Sequence, residues 1–579
     1  METIGLHALL GLVLLVAFVS VSHSVPDPDA ELRRQQEREM QLRRRNTPQP
    51  EVRMQAAVAG LADQRLPEQE TPCFQIDAIA LRTMDVSRST AKGKNRFPWA
   101  VEAANYTGTG ESDTAIGRCL GAGGINLVMR RIQNAIVSKG YVTTRVLAGP
   151  QNLQTGELVL TVILGHIRDI RFTTPSPRVT AGSAIPSRPG ELLNLRDIEQ
   201  GLENFKRVPS VVVDMEIYPS ADLSARPGDS DLVISWKQES LFRFTVSADN
   251  SGSESTGEYQ GGLTVSYDNG LTLNDLFYLS LNNDLGGGSD GARGTRGNTV
   301  HYSVPYGYWL LGFTASRSRY HQTVATALAN PVYSGDSRNF EVRLSRMVYR
   351  DANRKTQWHL AGWKRASRNY IDDTEVEVQR RRMAGLEFGI NHREYIDSTT
   401  LGLGLSYRRG TGASNPLRAP EENFGEGTSR PKIIRSNASL SVPFTLWGQQ
   451  LTYQNALQAQ WNRTPLVPQD RFSIGSRYTV RGFDGENTLS GDRGWFIRND
   501  IVMRLGNSTH TGYLGADYGS VDGQSSEGLI GKHLGGAALG FRGSLKGLNY
   551  DMYLAASLKK PQGFVSDDGV FNFNLNFTF

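Results

Sequence analysis

Hydrophobic and polar residues alternate one by one through most of the second half of the chain. Between Leu241 and Phe579, short runs with apolar or aromatic side chains at every second position recur, separated by polar, Gly-rich loops. Thr, Ser, Asn, Gln, Arg or Glu stand between the apolar positions of each run. Examples are the runs Phe242/Phe244/Val246, Phe340/Val342/Leu344 and Leu401/Leu403/Leu405/Tyr407. Successive side chains of a strand point to opposite faces, so each run predicts a strand between an apolar medium and water. Region 239–579 is therefore predicted to form an antiparallel sheet, either a soluble sandwich or a transmembrane barrel with a polar lumen.

The end of the chain favours the barrel. One face of the final strand carries Phe571, Phe573, Leu575, Phe577 and Phe579, and the other carries Asn572, Asn574, Asn576 and Thr578. In a soluble protein so aromatic an edge strand would promote aggregation. In a barrel this strand closes against the first one and turns its aromatic face to lipid. The sequence thus predicts a transmembrane β-barrel with outer-membrane lipid as a partner, and the terminal Phe resembles the targeting signature of outer-membrane proteins.

Two shorter units precede the barrel, each with the order strand, helix, strand, strand. In residues 73–165 the strands are predicted at Cys73–Leu81, Tyr141–Ala148 and Glu157–Leu164, and the helix presents Ile125, Val128, Met129, Ile132 and Ile136 on one face. In residues 166–238 the strands are predicted at Ile167–Thr173, Val211–Tyr218 and Asp231–Trp236, and the helix presents Leu195, Ile198, Leu202 and Phe205. The repetition predicts two consecutive α/β domains.

The first 72 residues contain three segments of different character. Residues 1–24 resemble a secretory signal peptide: the apolar run Ala8–Val19 is too short to span a membrane, and Ser22–Ser24 offers a small-x-small cleavage site, although no Lys or Arg precedes the run. Residues 25–45 are charged throughout and predict a helix that is polar all round, with a disordered charged leader as the alternative. Residues 46–72, which contain Pro and Gln, are expected to be a linker.

The composition of the chain limits the partners, cofactors and reactions that can be expected of it. The chain of 579 residues has a formal charge of only +5 and shows no aromatic-interleaved basic stripe, so nucleic acid is not expected as a partner. The two cysteines, Cys73 and Cys119, predict one disulfide in an oxidising compartment, with two reduced buried thiols as the alternative. The nine His residues are scattered, so neither a metal nor a cofactor is expected. Gly287–Gly291 matches the G-x-S-x-G expression but has no strand–turn–helix context, so an enzyme is not predicted.

One Gly- and Asp-rich segment, Arg471–Ile501, contains the most informative motif. Within it, Val480, Arg481, Gly482 and Phe483 follow one another, and downstream a strand-like run carries Gly515, Asp517 and Gly519. A long loop folded into a water-filled barrel needs an anchor, and an Arg fork accepted by an Asp carboxylate supplies one. Gly482 would permit a close backbone approach, and Phe483 would wedge the loop against the wall. In the alternative, Arg481 simply faces solvent in an extracellular loop.

These residues resemble a known group of proteins. Val480–Phe483 resembles the loop-six signature of the Omp85 superfamily, Gly515–Gly519 resembles its barrel-wall partner, and the two repeated units look like polypeptide-transport-associated (POTRA) domains. A chain in which two such units follow a charged helix is similar to the two-partner secretion transporters. These transporters export haemolysins, filamentous haemagglutinins and contact-dependent inhibition toxins.

The resemblance implies a barrel of sixteen strands plugged by the helix of residues 25–45, with Arg481 paired to Asp517. It also implies that POTRA domains at 73–165 and 166–238 receive an unfolded secreted exoprotein in the periplasm and that the outer-membrane barrel translocates it without ATP. The alternative is an assembly factor that inserts barrels into the membrane, a type that usually has three or five repeats. The sequence does not identify the cargo.

Overall fold

The computed structural model describes residues 28–54, 64–84, 96–324 and 330–579. The predicted signal peptide of residues 1–24 lies outside these ranges. The first element is helix α1 (Pro28–Asn46), which has acidic residues in its first turn and basic residues in its last, the arrangement that a helix dipole favours. Among the described helices, none is both long enough and apolar enough to cross a membrane.

The first α/β domain forms around the apolar face of one helix. Its sheet has the order β2-β5-β4, and a separate pair β1–β3 lies beside it. Val128, Ile132 and Ile136, three of the residues predicted to share a helix face, are fully buried. Cys73 and Cys119 are joined by a disulfide, which ties the residue before β1 to β3. The elements are β1 (Phe74–Ile76), β2 (Ala78–Met84), a 3₁₀ helix (Pro98–Asn105), β3 (Arg118–Leu120), α2 (Ala122–Ser138), β4 (Arg145–Ala148) and β5 (Glu157–Ile163).

The segment expected to be a linker contributes to this domain. Leu66 is buried in its core. The Glu70 carboxylate accepts hydrogen bonds from the backbone N–H groups of Gly121, Gly123 and Gly124 at 2.6–2.9 Å, which satisfies the free donors at the start of α2. Sequence periodicity did not reveal these roles, because each depends on one isolated side chain.

A buried carboxylate holds the linker to α2. Asp113 accepts hydrogen bonds from the Arg131 guanidinium at 2.6 Å and from the Leu66 backbone N–H at 2.7 Å. Arg118 adds an ion pair at 3.0 Å. Burial alone would raise the pKa of Asp113, but the hydrogen bonds and the two cations lower it below its usual value. The stabilisation that this carboxylate provides is therefore present above an unfolded pKa of about 3.9 and is lost as the pH falls toward the lowered folded value.

We expect Asp113→Asn to destabilise the first domain by about 3–5 kcal/mol at neutral pH, because Arg131 would lose its buried partner. Hydrogen exchange measured on the full chain should show faster exchange across α2 in the variant. As the pH falls below about 3.9 the difference from the wild type should shrink, because the unfolded wild type then binds a proton that the folded carboxylate resists. A difference that stayed constant from pH 7 to pH 3 would contradict the assigned role of the Asp113 charge.

The second α/β domain repeats the arrangement in shorter form. Its sheet has the order β6-β8-β7, and α4 covers one face of it with Ile198, Leu202 and Phe205. The Asn194 side chain accepts a hydrogen bond from the Arg196 N–H at 2.9 Å and so caps the start of α4. The elements are β6 (His166–Phe172), α3 (Ala181–Ala184), α4 (Leu195–Lys206), β7 (Val211–Pro219) and β8 (Asp229–Gln238).

The rest of the chain forms a closed barrel of sixteen antiparallel strands, which confirms the predicted fold class. The sheet closes where the last strand pairs with the first. The barrel strands are β9 (Phe242–Asp249), β10 (Tyr259–Asp268), β11 (Leu276–Gly286), β12 (Arg293–Tyr306), β13 (Trp309–Thr323), β14 (Val332–Arg350), β15 (Arg354–Ile371), β17 (Arg381–Ile396), β18 (Thr399–Thr411), β19 (Lys432–Leu446), β20 (Gln449–Asn462), β23 (Arg493–Arg504), β24 (Thr511–Asp522), β25 (His533–Leu545), β26 (Leu548–Lys559) and β27 (Gly569–Thr578).

The described chain has three further short strands. The two-residue β16 (Thr374–Glu375) pairs with the last residues of β15. The other two, β21 (Phe472–Ile474) and β22 (Leu489–Gly491), pair with each other in the loop between β20 and β23.

The final strand behaves as its alternation predicts. Phe571 and Phe577 are exposed on the outer face of β27, whereas Asn572 and Asn576 are buried on the inner face. At the seam, the Phe579 backbone N–H donates to the Phe244 carbonyl at 2.9 Å. The pairing leaves the aromatic face of β27 toward lipid and the amide face toward the lumen, as a membrane barrel requires.

Candidate functional site in the barrel lumen

The loop between β20 and β23 folds into the barrel and is fixed there by Arg481. The guanidinium donates from Nε to Asp517 Oδ2 and from Nη2 to Asp517 Oδ1, both at 2.7 Å. The Arg481 backbone N–H also donates to Asp517 Oδ2, at 3.0 Å. Arg481 is only 1% exposed, so it does not face solvent. The predicted partners are therefore in contact, and the geometry is the two-pronged one that an Arg and a carboxylate can form.

A second carboxylate, which the sequence did not indicate, shares the same guanidinium. Arg481 Nη2 also donates to Asp500 Oδ1 on β23 at 2.6 Å. Arg498 lies 3.9 Å from Asp517, which brings a second cation to the cluster. Two arginines thus face two aspartates, and because Arg481 and Asp517 are buried, loss of either of these charges leaves the other uncompensated.

Glycines on the barrel wall make room for the loop. Gly515 and Gly519 lie on the same face of β24 as Asp517. A Cβ atom at Gly515 would lie 2.4 Å from Arg481 Nη2, and one at Gly519 would lie 2.9 Å from Val480 Cγ2. This explains the spacing of the three residues. Asp517 accepts the hydrogen bonds of the Arg481 guanidinium, and the two glycines leave the space that the loop occupies.

Two further glycines allow the backbones to meet. Gly482 has φ of +100° and sits against β26, where a Cβ atom would lie 2.4 Å from the Ala556 carbonyl oxygen. Gly536 on β25, which the sequence did not single out, lies so close to the loop that a Cβ atom there would be 1.7 Å from the Arg481 carbonyl oxygen. The loop backbone therefore rests directly on the barrel wall at these points.

Apolar contacts hold the rest of the motif. Val480 and Phe483 are fully buried in a cluster that joins the loop to β23, β24 and β25. The Phe483 ring meets Phe564 edge to face, with 5.7 Å between ring centroids. Phe483 is thus packed between the loop and residues of the barrel wall. The cluster contains Ile474, Val480, Phe483, Leu489, Phe496, Val521, Leu534 and Phe564.

Helix α1 lies against this loop. Arg34 donates from Nη2 to the carbonyl oxygen of Gly485 at 2.7 Å and to that of Glu486 at 3.1 Å. Ser476 donates its hydroxyl to Glu37 at 3.1 Å. The helix therefore contacts the same loop that Arg481 anchors, a few residues before and after the motif.

The other side of α1 reaches strands elsewhere on the barrel wall. Ser316 on β13 donates to Glu39 at 2.8 Å. Arg43 pairs with Glu341 on β14 at 2.9 Å, and Arg45 donates to Asn576 on β27. These contacts place α1 inside the lumen, where its largely polar surface is matched by polar strand faces. A polar cavity of about 700 Å³ remains beside it.

A buried cluster at the periplasmic mouth joins the linker, the second domain and the barrel. Arg350, at the end of β14, donates to Glu199 at 3.0 Å and to Glu203 at 2.7 Å, both on α4. The same two carboxylates accept the backbone N–H groups of Met54 and Val52, at 2.7 and 2.9 Å respectively. The segment that follows α1 is therefore clamped between α4 and the barrel, and the second domain docks at the mouth of the lumen.

Comparison with known proteins identifies relatives over nearly the whole described chain. Residues 228–543 match the family described as haemolysin secretion/activation protein ShlB/FhaC/HecB. Residues 166–219 match a POTRA domain model, and residues 111–165 match the ShlB-type POTRA domain. Both POTRA matches fall within the two α/β domains.

Individual relatives agree with the family match. The outer membrane transporter CdiB-2 of Burkholderia pseudomallei (strain 1026b) is 37% identical over 507 residues, which cover 86% of this chain and 84% of the relative. The hemolysin transporter protein ShlB of Serratia marcescens is 28% identical over 70% of this chain and 71% of its own. The solved structure of CdiB from Acinetobacter baumannii aligns with a TM-score of 0.80 at 26% identity and covers 96% of this chain and 100% of its own.

Proposed function

The chain belongs to the haemolysin secretion/activation family of ShlB, FhaC and HecB, and from that premise we propose that its POTRA domains receive an unfolded partner exoprotein and that its barrel passes this exoprotein to the cell surface. It is an outer-membrane transporter of the two-partner type, and not an enzyme. The family consists of secretion proteins rather than the barrel-assembly factors that the sequence left as an alternative. The exoprotein is of the haemolysin, haemagglutinin or toxin type.

The observation that carries this proposal is the manner in which the lumen is filled. Helix α1 occupies it through hydrogen bonds and ion pairs, such as Arg34 with Gly485 and Arg43 with Glu341. Contacts of this kind are exchangeable with water, so the helix can leave a wet pore without exposing a large apolar surface. Helix α1 is therefore the plug of the resting state, and the lumen it vacates is the path of the unfolded chain.

Within the described residues, each POTRA domain has sheet edges that no other strand covers, and these are open to an extended chain. Strand β7 lies at the edge of the second sheet and β4 at the edge of the first. Val212 and Tyr218 on β7, and Leu147 on β4, expose apolar side chains next to these edges. An edge strand binds an extended peptide through its backbone and asks little of sequence, which suits a long and varied cargo.

Translocation proceeds without ATP. The phosphate-loop-like run Thr107–Gly110 is not followed by the Gly-Lys-Ser/Thr that a phosphate-binding loop requires. Folding of the exoprotein outside the cell makes the transport one-directional, because a chain that has folded there cannot slide back through the lumen. Reading the open reading frame next to this gene would identify the cargo.

We expect a photo-cross-linking residue at Val212 or Leu147 to capture a translocation-stalled exoprotein in living cells. The matched control is Leu223, which is fully exposed in the loop between β7 and β8 and so belongs to neither edge strand. Cross-linking efficiency at the edge positions should exceed that at Leu223 severalfold. Equal capture at all three positions would show that the edges do not select the cargo.

A further inference from the structure

The outer surface of the barrel carries a row of cations on strands β12 to β19. Each belongs to the face that points away from the lumen, and each lies in the half of its strand that is far from the POTRA domains. We call this row the basic belt, and it consists of Arg296, Arg317, Arg319, Arg338, Lys364, Arg368, Arg382, Arg409 and Lys432.

The outward direction follows from strand register. Ser316 on β13 and Asn339 on β14 reach Glu39 of α1 in the lumen. Their neighbours Arg317 and Arg338, which pair with each other across the two strands, must therefore point outward. On the same outward faces lie apolar side chains that are exposed, for example Phe313, Phe340, Leu360, Leu386 and Leu405.

The height of the belt matches the outer edge of the hydrocarbon layer. The periplasmic end of the barrel is the one that touches the second POTRA domain, through Gly307 and Arg350. Counted from the periplasmic ends of their own strands, the belt residues lie eight to fourteen positions away. A tilted strand crosses the membrane in about 9–11 residues. Eight of the nine cations lie ten or more positions away, at or beyond the outer end of such a span, where the headgroups of the outer leaflet lie.

The belt has more positive than negative charge. Asp336 is its central acid, and Arg317, Arg319 and Arg338 all converge on it, the last two at 3.0 and 3.3 Å. Arg319 and Arg338 remain more than half exposed. Near Arg368 lies Glu375, which Arg380 already pairs with. At least two guanidinium charges therefore remain for a ligand from outside.

Elsewhere on the barrel the same height has a different composition. On β10 and β11 the outward positions at this height are Tyr259 and Leu285. On β23 the outward Arg493 is paired with Asp522. Lys559 on β26, which lies over the outward Tyr518 ring, is a single cation at this height near the β27–β9 seam. Most of the outward positive charge therefore lies on the half of the circumference formed by β12 to β19.

We propose that the basic belt binds the phosphate groups of the phosphorylated glycolipid in the outer leaflet of the outer membrane. A guanidinium donates two parallel hydrogen bonds to a phosphate, and clusters of Lys and Arg next to a membrane favour anionic lipids. The acyl chains of the same lipid would lie on the apolar band directly below the belt. Bound lipid would hold this half of the barrel at a fixed depth in the membrane. The side of the barrel that contains the β27–β9 seam would not be held in this way.

The test compares lipid binding to the full chain in detergent by native mass spectrometry and by thermal unfolding. The probes are bisphosphorylated lipid A, the same lipid with its phosphates removed, and inorganic phosphate alone. The test variant is Arg319→Gln/Arg338→Gln, which leaves Arg317 in place to pair with Asp336. The matched control is Arg346→Gln/Arg354→Gln, which removes two outward arginines from the periplasmic edge of β14 and β15.

Bisphosphorylated lipid A should bind and raise the melting temperature, and the dephosphorylated lipid should not. At about 1 kcal/mol per cation, the test variant should bind on the order of thirty-fold more weakly. The control should bind within about twofold of the wild type, and wild-type binding should fall as salt is added. Equal binding of the two lipids, an unaffected test variant, or full displacement by inorganic phosphate would each overturn the proposal.

Discussion

Replacing Arg481 by alanine should reduce secretion of the partner exoprotein at least about tenfold, while the barrel still inserts and resists heat in detergent. Asp517, whose side chain is fully buried, would lose two of its three hydrogen bonds from residue 481, and Asp500 would lose one. Only the backbone bond can survive the substitution. Breaking a buried pair on one side costs about 3–5 kcal/mol, which is enough to release a loop from a single position.

Arg481→Lys should restore little secretion. An ammonium group provides charge but cannot donate to both oxygens of Asp517 and to Asp500 in the plane that the guanidinium occupies. Exported and cell-associated exoprotein, compared by immunoblot at equal transporter abundance, gives the measurement. Exchange of the two charges between 481 and 517 is not a clean test, because Asp500 would then face a second acid.

A substitution that keeps every charge tests the geometry separately. In Gly515→Ala the new Cβ would lie 2.4 Å from Arg481 Nη2, so the guanidinium must move away from its carboxylates. We expect secretion to fall nearly as far as in Arg481→Ala. The matched control is Gly512→Ala on the same strand, where the nearest atom to a new Cβ, the Gly540 carbonyl oxygen, is 4.0 Å away. Normal secretion by both Arg481→Ala and Gly515→Ala would show that the loop needs no anchor.

The barrel could be predicted from the sequence because the residues of each strand show by themselves which face meets lipid and which meets water. Each spanning strand separates lipid from water, so its own residues alternate, as Leu401, Leu403 and Leu405 do on β18. The count of sixteen strands came from the family resemblance, since strand ends at long hairpins such as β14–β15 depend on turns that periodicity does not mark. The same reasoning covers the two α/β domains, whose helices each bury one apolar face.

The site was predictable only where the sequence repeats a known motif. Arg481 and Asp517 were found together because both belong to that motif. Asp500 and Gly536 were not, because their roles arise from the register of β23 on β24 and of β24 on β25, which brings them to the loop. A residue on a lumen-facing position of a barrel strand looks like any other polar or small residue until the pairing is known.

The contacts of helix α1 could likewise be predicted only in part from the sequence. Its sequence has no apolar stripe, and that much agrees with a wet lumen. Leu32 and Leu42 are nevertheless buried, and Leu32 packs with Tyr320 and Tyr333 from β13 and β14. The partners lie almost 300 residues away in the chain, so no pattern within the helix reveals the contact. The position of the helix is thus fixed by a few apolar contacts as well as by its ion pairs.

Removing residues 28–46 should raise the single-channel conductance of the transporter several-fold in planar bilayers. An α-helix with its side chains is about 10–12 Å across, and a barrel of sixteen strands is wide enough to hold an aqueous channel once it is empty. The helix now contacts β13, β14 and β27 as well as the inward loop, so it blocks most of the lumen. Its removal would leave a water-filled path beside the loop.

Two substitutions make this prediction specific to the position of the helix. Arg34→Gln removes the donors to the Gly485 and Glu486 carbonyl oxygens, so we expect brief openings to the conductance of the deleted form. Met40→Gln is the matched control, because Met40 is more than half exposed and should leave the channel closed. If the deletion variant conducts no better than the wild type, helix α1 does not close the pore, and the inward loop held by Arg481 is then the barrier that the exoprotein must pass.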